Sequence, residues 1–395
     1  MLAAKGGVRI AAPEENRWPV SGEIDREALM AALKDLQKGG HPIRERFEAR
    51  FAADCGVKYA FAVSNGTVSL ELILRALGIG HGDEVILPPY TFIATVSSIL
   101  YAGARPVFAD IDRGSYNISA AGVRAKLTAR TKAVVAVAVG GRSPDLDALG
   151  DVARAAGVAL IVDGAQGVGA EWRGRSIFAW GDAASLSCQN SKNLTCGEGG
   201  MITTNRDDVA AKLRAMLYGA PEAQEIAQDA GLPELQAALL ESQYVKLPAE
   251  MKRRTENAAY LAQLLRPLDI VGTLDDDPRL TVQAHHLMVL RLNVAWMKEK
   301  GVTRAQIIKA LTAEGLPLFG GYEPLYTFPC LKDSTIVPII GEGIDLSPLP
   351  ECEIASYEEG LWLLQNRLLG TKKDMETIAA IFRKLQDEID AVRTL

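Results

Sequence analysis

From Ala60 to Thr204 short apolar runs alternate with segments of helical periodicity. The runs are Ala60–Ser64, Glu84–Pro88, Pro106–Ile111, Lys132–Val139, Ala159–Asp163, Ala183–Cys188 and Met201–Thr204. Most are apolar on both faces, which predicts strands of a sheet covered by helices on both sides. The helical patterns between them, such as Val68–Leu77, predict a mainly parallel, seven-stranded sheet. Upstream, Asp25–Gln37 has apolar residues at helical spacing and stops at Gly39-Gly40, and Arg44–Cys55 carries Phe47, Phe51 and Ala52 on one helical face. Downstream, Asp207–Tyr218 reads as a helix closed by Gly219, and Ala220–Leu232 has no period. Glu234–Arg266 is helical with an interruption expected around Pro248, His286–Asn293 alternates like a strand, and Thr303–Glu314 and Lys373–Val392 are amphipathic helices. The expected class is α/β, with an arm and first helix over 1–35, a large domain over 36–245 and a smaller C-terminal α/β domain over 246–395.

Composition narrows the partners. The 395 residues are 48% hydrophobic and 23% charged, with a net charge of −6, which describes an ordinary soluble protein. No Lys/Arg cluster offers a footprint for nucleic acid, and a membrane surface is an equally poor partner. Met1–Ser21 lacks an apolar core of signal-peptide length and reads as an arm lying on another surface. Five scattered cysteines, Cys55, Cys188, Cys196, Cys330 and Cys352, form no C-x-x-C, so the expectation is a reducing cytoplasm without a disulfide framework. The four histidines have no ligand spacing, and no metal is expected.

The candidate chemistry lies at strand ends. Ser185–Met201 reads as strand, turn and strand, with Lys192 presented in the turn. A lysine there can act as an amine nucleophile if its pKa is lowered, or be an ordinary loop lysine. Val158–Asp163 is an apolar strand ending on a carboxylate, which is costly to bury unless it meets a cation; a helix cap is the plainer alternative. Asn65-Gly66-Thr67 opens a helix, where free backbone N–H groups favour a phosphate and where capping alone also explains the residues. In a parallel sheet all three fall where ligands bind. A lysine, an acid and phosphate donors are what pyridoxal 5′-phosphate (PLP) requires.

The motifs S-N-G-T (64–67), P-P-Y-T-F-I-A-T (88–95), D-G-A-Q-G-V-G-A (163–170) and S-x-Q-N-S-K-N-L-T-C-G-E-G-G (187–200) occur in this order. With them the chain resembles the DegT/DnrJ/StrS family of PLP-dependent sugar and cyclitol aminotransferases, of PLP fold type I. The resemblance implies that Lys192 holds the cofactor as a Schiff base and moves a proton, and that Asp163 keeps the pyridine nitrogen protonated. It assigns Gly66, Thr67 and Ser187 to the phosphate, Phe92 to ring stacking with Tyr90 as second choice, and Gln166 to the ring oxygen. It also places Tyr322, in G-G-Y-E-P-L-Y, on the substrate side. It implies an amino donor, glutamine or glutamate, a keto sugar nucleotide or keto cyclitol as acceptor, and a homodimer with shared active sites. The S-x-Q-x-S-K form leans towards the cyclitol and aminoglycoside branch. One position departs from the family: Asp229 stands where an asparagine reaches the neighbouring subunit's phosphate, so either this loop sits elsewhere or that contact is missing. Two other readings follow: a PLP-dependent sugar dehydratase, against which Lys192 argues because such relatives carry histidine there, and a non-catalytic sensor or assembly partner.

Overall fold

The computed structural model describes residues 1–10, 17–36, 39–219 and 226–395; Gln37, at the end of the first expected helix, and residues 220–225 lie outside them. The central sheet holds β1 (Tyr59–Val63), β2 (Glu84–Leu87), β3 (Arg105–Phe108), β4 (Thr131–Val137), β5 (Ala159–Asp163), β8 (Ala183–Ser187) and β9 (Gly200–Thr204). Their order is β1-β9-β8-β5-β4-β2-β3, and β9 alone runs against its neighbours. The seven expected strands therefore all form, in a mainly parallel sheet. Two short strands, β6 (Glu171–Trp172) and β7 (Arg175–Ser176), leave it to pair with β11 (Leu280–Val282).

Burial explains the apolar runs. On β4 the side chains of Ala133, Val135 and Val137 enter one core while Val134 and Ala136 enter another, so both faces of the strand are dry. Helices α1 (Glu23–Asp35), α2 (Pro42–Cys55), α3 (Gly66–Ala76), α4 (Ile93–Tyr101), α5 (Ala120–Lys126), α6 (Leu146–Ala156) and α7 (Asp207–Tyr218) surround the sheet. Phe47 and Phe51 of α2, the face predicted from the sequence, join the core that also takes Leu186 and Met201 from β8 and β9.

Helix α8 runs unbroken from Glu234 to Leu265 with Pro248 inside it, where an interruption was expected. Proline removes one ladder hydrogen bond, and packing at both ends of the helix outweighs that loss. Its first half is clamped to α1, through Lys246 on Asp25 at 2.6 Å and Ser242 on Asp25 at 2.7 Å. Its second half meets the C-terminal region, through Asn257 on the Leu368 carbonyl at 2.8 Å and Tyr260 on Glu376 at 2.8 Å. The expected boundary at 245/246 thus falls within one helix. Beyond it, the antiparallel sheet β10-β12-β13 (Val271–Thr273, Leu287–Leu292, Gly360–Leu364) packs with helices Arg304–Ala313 and Lys372–Asp387 around a third core. Leu2 is buried in that core, and the Ala3 and Ile10 N–H groups donate to Glu314 at 2.9 and 3.1 Å. The surface under the N-terminal arm is this chain's own C-terminal unit.

The outer edge of β1 is covered. The Ala62 N–H donates to Glu48 of α2 at 2.7 Å, and the loop at Ala230–Leu232 pairs with Val63 and its neighbours, which removes a template for unwanted strand pairing. Burial raises the Glu48 carboxyl from 4.5 to about 7, against the opposing Ala62 N–H and Arg44. A group whose pKa is raised on folding stabilises most below its unfolded value, and that contribution disappears as pH rises through the folded one. Between pH 5 and pH 8 the wild-type Tm is therefore expected to fall relative to that of Glu48→Gln by about 2–4 °C, measured by differential scanning fluorimetry. Parallel curves would remove Glu48 as the cause.

Candidate active site

Asp163 ends β5 in the middle of the sheet and is 3% exposed. Its Oδ2 accepts from Thr95 Oγ1 at 2.9 Å and its Oδ1 from the Ala165 N–H at 3.1 Å. Among the described residues no lysine, arginine or histidine nitrogen comes within salt-bridge distance of it. Burial pushes its carboxyl above the usual range, with the Ala165 N–H, Thr95 and the more distant Lys192 opposing the rise. Such a group has spare capacity for a cationic N–H donor.

Three strands along the sheet, past β8 and β9, α3 begins at Gly66 beyond the end of β1. Asn65 caps it, Oδ1 accepting from the Val68 N–H at 2.9 Å, which leaves the Gly66 and Thr67 N–H groups outside the helix ladder. Ser187, at the end of β8, closes against this turn. A Cβ on Gly66 would lie 2.9 Å from the Ser187 Cβ, and one on Gly200 would lie 2.6 Å from the Asn65 carbonyl carbon. Close backbone approach, rather than left-handed geometry, is what excludes larger residues here. Capping and an anion cradle coexist in one turn.

Lys192 lies in the turn between β8 and β9. It is half-buried, and desolvation lowers its amine from 10.5 to about 8, against the pull of Asp163 and Cys188. Its backbone is held on both sides: its N–H donates to the Gln189 carbonyl at 2.9 Å, and its carbonyl accepts from Trp18 Nε1 at 3.1 Å. The next residue, Asn193, donates to the Ala284 carbonyl at 2.7 Å and meets His286 Nδ1 at 3.2 Å. Cys188 and Cys196 are buried with their thiols raised, Cys196 to about 12, which suits packing residues and not nucleophiles.

Gln166 is buried between two parts of the chain. Its Oε1 accepts from the Gly140 N–H at 2.6 Å, and its Nε2 donates to the Tyr322 hydroxyl at 2.7 Å. Tyr322 in turn packs edge-on against Trp362, with ring centroids 4.5 Å apart, and against Tyr90. Tyr90 is wholly buried in the core, while Phe92, at the start of α4, is 59% exposed on the rim. The structure thus gathers Asp163, Gln166 and Tyr322 through direct contacts or near sequence neighbours, and Gly66, Thr67 and Ser187 in one cradle, with Lys192 electrostatically coupled to Asp163.

Three contributors escaped the sequence reading. Thr95 closes the P-P-Y-T-F-I-A-T motif one helical turn after Phe92, a spacing that could have flagged it. His286 opens an apolar strand and gave only a weak signal. Trp18, 174 residues before Lys192, gave none. Asp229 is exposed on the loop whose Ala230 carbonyl accepts from the Ser64 N–H at 2.8 Å. This loop lies along the chain's own β1, next to its own cradle.

Residues 21–338 match the DegT/DnrJ/EryC1/StrS aminotransferase family. The chain belongs to this family, and it is an aminotransferase. It is 33% identical over 422 residues to the L-glutamine:scyllo-inosose aminotransferase of Streptomyces griseus, covering 99% of each chain. It is 38% identical over 316 residues to the spore coat polysaccharide biosynthesis protein SpsC of Bacillus subtilis, covering 75% of this chain and 79% of that one. Among solved structures, DesI in the presence of its TDP-sugar product superposes with a TM-score of 0.84 at 28% identity, over 100% of this chain and 98% of that one. The mainly parallel sheet is that of PLP fold type I aminotransferases.

Replacing Gly66 by alanine tests the cradle. The added Cβ must displace Ser187, so Gly66→Ala is expected to cost about 1–3 kcal/mol of stability and to weaken binding of inorganic phosphate, read by chemical denaturation and calorimetry. Unchanged phosphate affinity in a folded variant would place the anion elsewhere.

Proposed function

We propose that this aminotransferase binds PLP and transfers an amino group from glutamine or glutamate to a keto sugar nucleotide or keto cyclitol, with a keto cyclitol favoured. The observation that carries the reading is Asp163: a buried carboxylate with no cation in salt-bridge distance among the described residues, on the same sheet edge as a lysine whose amine is depressed to about 8. The cyclitol preference rests on the S-x-Q-x-S-K form and on near-full-length similarity to a scyllo-inosose aminotransferase.

The residues fit the cofactor. Asp163 would accept from the pyridine N–H, Gly66, Thr67 and Ser187 would hold the phosphate, and Phe92 would cover one ring face. Gln166, fixed by Gly140 and Tyr322, retains a second Nε2–H for the ring oxygen. When bound, PLP supplies an electron sink for the carbon that loses its proton. Lys192, its amine lowered to about 8 by desolvation, would hold the cofactor, and its neutral form could take and return a proton at the site. Asp163 would hold the proton on the pyridine nitrogen. Tyr322 stands on the substrate side, tied to Gln166.

A homodimer with shared sites fits the same picture. Phe92 is open to solvent on the rim, α1 exposes Met30 and Leu33, and Leu36 just after it is exposed as well. Five free cysteines suit a reducing cytoplasm. Among the described residues no helix is long and apolar enough to cross a membrane.

The first experiment is a visible spectrum of purified protein with PLP, before and after L-glutamine, beside Lys192→Ala. A band that glutamine bleaches in the wild type, absent in Lys192→Ala, is expected. Asp163→Asn is expected to lower the donor half-reaction by about 10²–10³-fold. No band in the wild type, or identical behaviour in Lys192→Ala, would overturn the proposal.

A further inference from the structure

The N-terminal segment reaches the turn that carries Lys192 by a route unconnected with the sheet. Trp18 Nε1 donates to the Lys192 carbonyl at 3.1 Å. The Trp18 ring lies against Arg254 of α8, whose guanidinium carbon is 4.9 Å from the ring centroid. Arg254 is fully buried, with Nε and Nη2 both on Gln365 Oε1 at 2.9 and 2.6 Å and Nη2 also 3.4 Å from Glu250. A guanidinium fixed in this way is a rigid platform, and its desolvation strengthens its attraction to an aromatic face. Two residues further on, the Val20 carbonyl accepts from Gln243 at 3.2 Å and from Lys246 at 3.0 Å. The segment is therefore fastened to α8 on one side and to the lysine turn on the other.

That turn needs fastening. Lys192 belongs to neither β8 nor β9, so no ladder fixes its Cα, and its side chain must stay free for chemistry. Its backbone position depends on the Gln189 bond within the turn, the Asn193 contacts to Ala284 and His286, and the Trp18 bond from outside. A displacement of about 1 Å at a reacting group is enough to cost about 10²-fold in rate.

Resting on the PLP reading above, we infer that Trp18 is a positioning residue: its indole N–H, braced on Arg254, holds the Lys192 backbone so that the amine stays in its desolvated place at the site. The segment before α1 thereby becomes part of the machinery without touching the cofactor or substrate. The groups around the amine are Asp163 at the end of β5, Cys188 at the end of β8 and His286 before β12; burial, with Lys192 and Arg254 nearby, holds the last neutral.

Trp18→Phe separates the bond from the packing, because it keeps an aromatic face on Arg254 and deletes only the N–H. The probe is acetic anhydride, applied to the cofactor-free full chain across a pH series, with acylation of the Lys192 peptide read by mass spectrometry. In the wild type the labelling midpoint should lie near 8; in Trp18→Phe it should rise by about half a pH unit or more as the turn moves towards water. With cofactor, the donor half-reaction should slow about five- to tenfold while KM for L-glutamine stays within about twofold. Trp18→Ala should exaggerate both effects, and if it fails to fold, Trp18→Phe decides alone. An unchanged midpoint in folded Trp18→Phe, with or without a lower Tm, would reduce Trp18 to a packing residue and overturn the inference. The midpoint is measured without PLP, so it stands or falls separately from the cofactor assignment, which the absorbance band tests.

Discussion

The molecule is built around a carboxylate that it buries and does not neutralise. Asp163 is 3% exposed, accepts two hydrogen bonds, and lacks a cation within salt-bridge distance among the described residues. Leaving a carboxylate in that state costs stability, and a fold tolerates the cost where a ligand relieves it. The surroundings serve the same end. Six of the seven sheet strands run in one direction beside one another or across β9, so that β1, β5 and β8 deliver their carboxyl ends to one edge. Thr95 and the Ala165 N–H fix the two oxygens, which leaves their remaining lone pairs aimed by geometry and not by chance.

Close approach is the second constraint. At the cradle, Gly66 and Gly200 let the ends of β1, β8 and β9 come within contact distance. On the other side of Asp163, Gly141 adopts φ +85°, and a Cβ there would lie 2.7 Å from the Gln166 carbonyl oxygen and 2.8 Å from Ala284. The Ala284 N–H returns a bond to the Gly141 carbonyl at 2.9 Å. This contact brings the crossing into the C-terminal unit directly under the site. Tyr322 reaches Gln166, and His286 reaches Asn193, because of that crossing. The C-terminal unit is thus a wall of the proposed site as well as a separate core.

Much of this was legible in the chain. Strands dry on both faces give continuous apolar runs, which is why all seven were found; Asp163 stood out because it ends such a run with a charge, and Lys192 because it stands in the turn between two of them. What escaped depends on pairing between distant segments. Nothing local marks Glu48 as the cover for the β1 edge, or Gln166 as the partner of both Gly140 and Tyr322. Pro248 misled for the opposite reason: a strong local signal was overruled by packing at both ends of α8. Trp18 combines both difficulties, since its partners lie on a turn and a helix 174 and 236 residues away, and indole hydrogen bonding leaves no periodicity.

The lysine turn shows how these constraints combine. A catalytic lysine needs a mobile, desolvated amine on a backbone that does not move. Strand residues would supply rigidity, but their side chains are committed to one face of the sheet; a free loop would supply mobility at the cost of placement. This chain uses a loop whose rigidity is imported. Gln189 fixes the Lys192 N–H from within the turn, Asn193 is held by Ala284 and His286, and Trp18 takes the carbonyl. The three supports come from the large unit, the segment around Ala284 and His286, and the N-terminal segment respectively, so the placement of Lys192 is a property of the whole chain's closure rather than of the motif that contains it. That is the physical reason a short motif singles out the lysine and yet does not by itself fix its position.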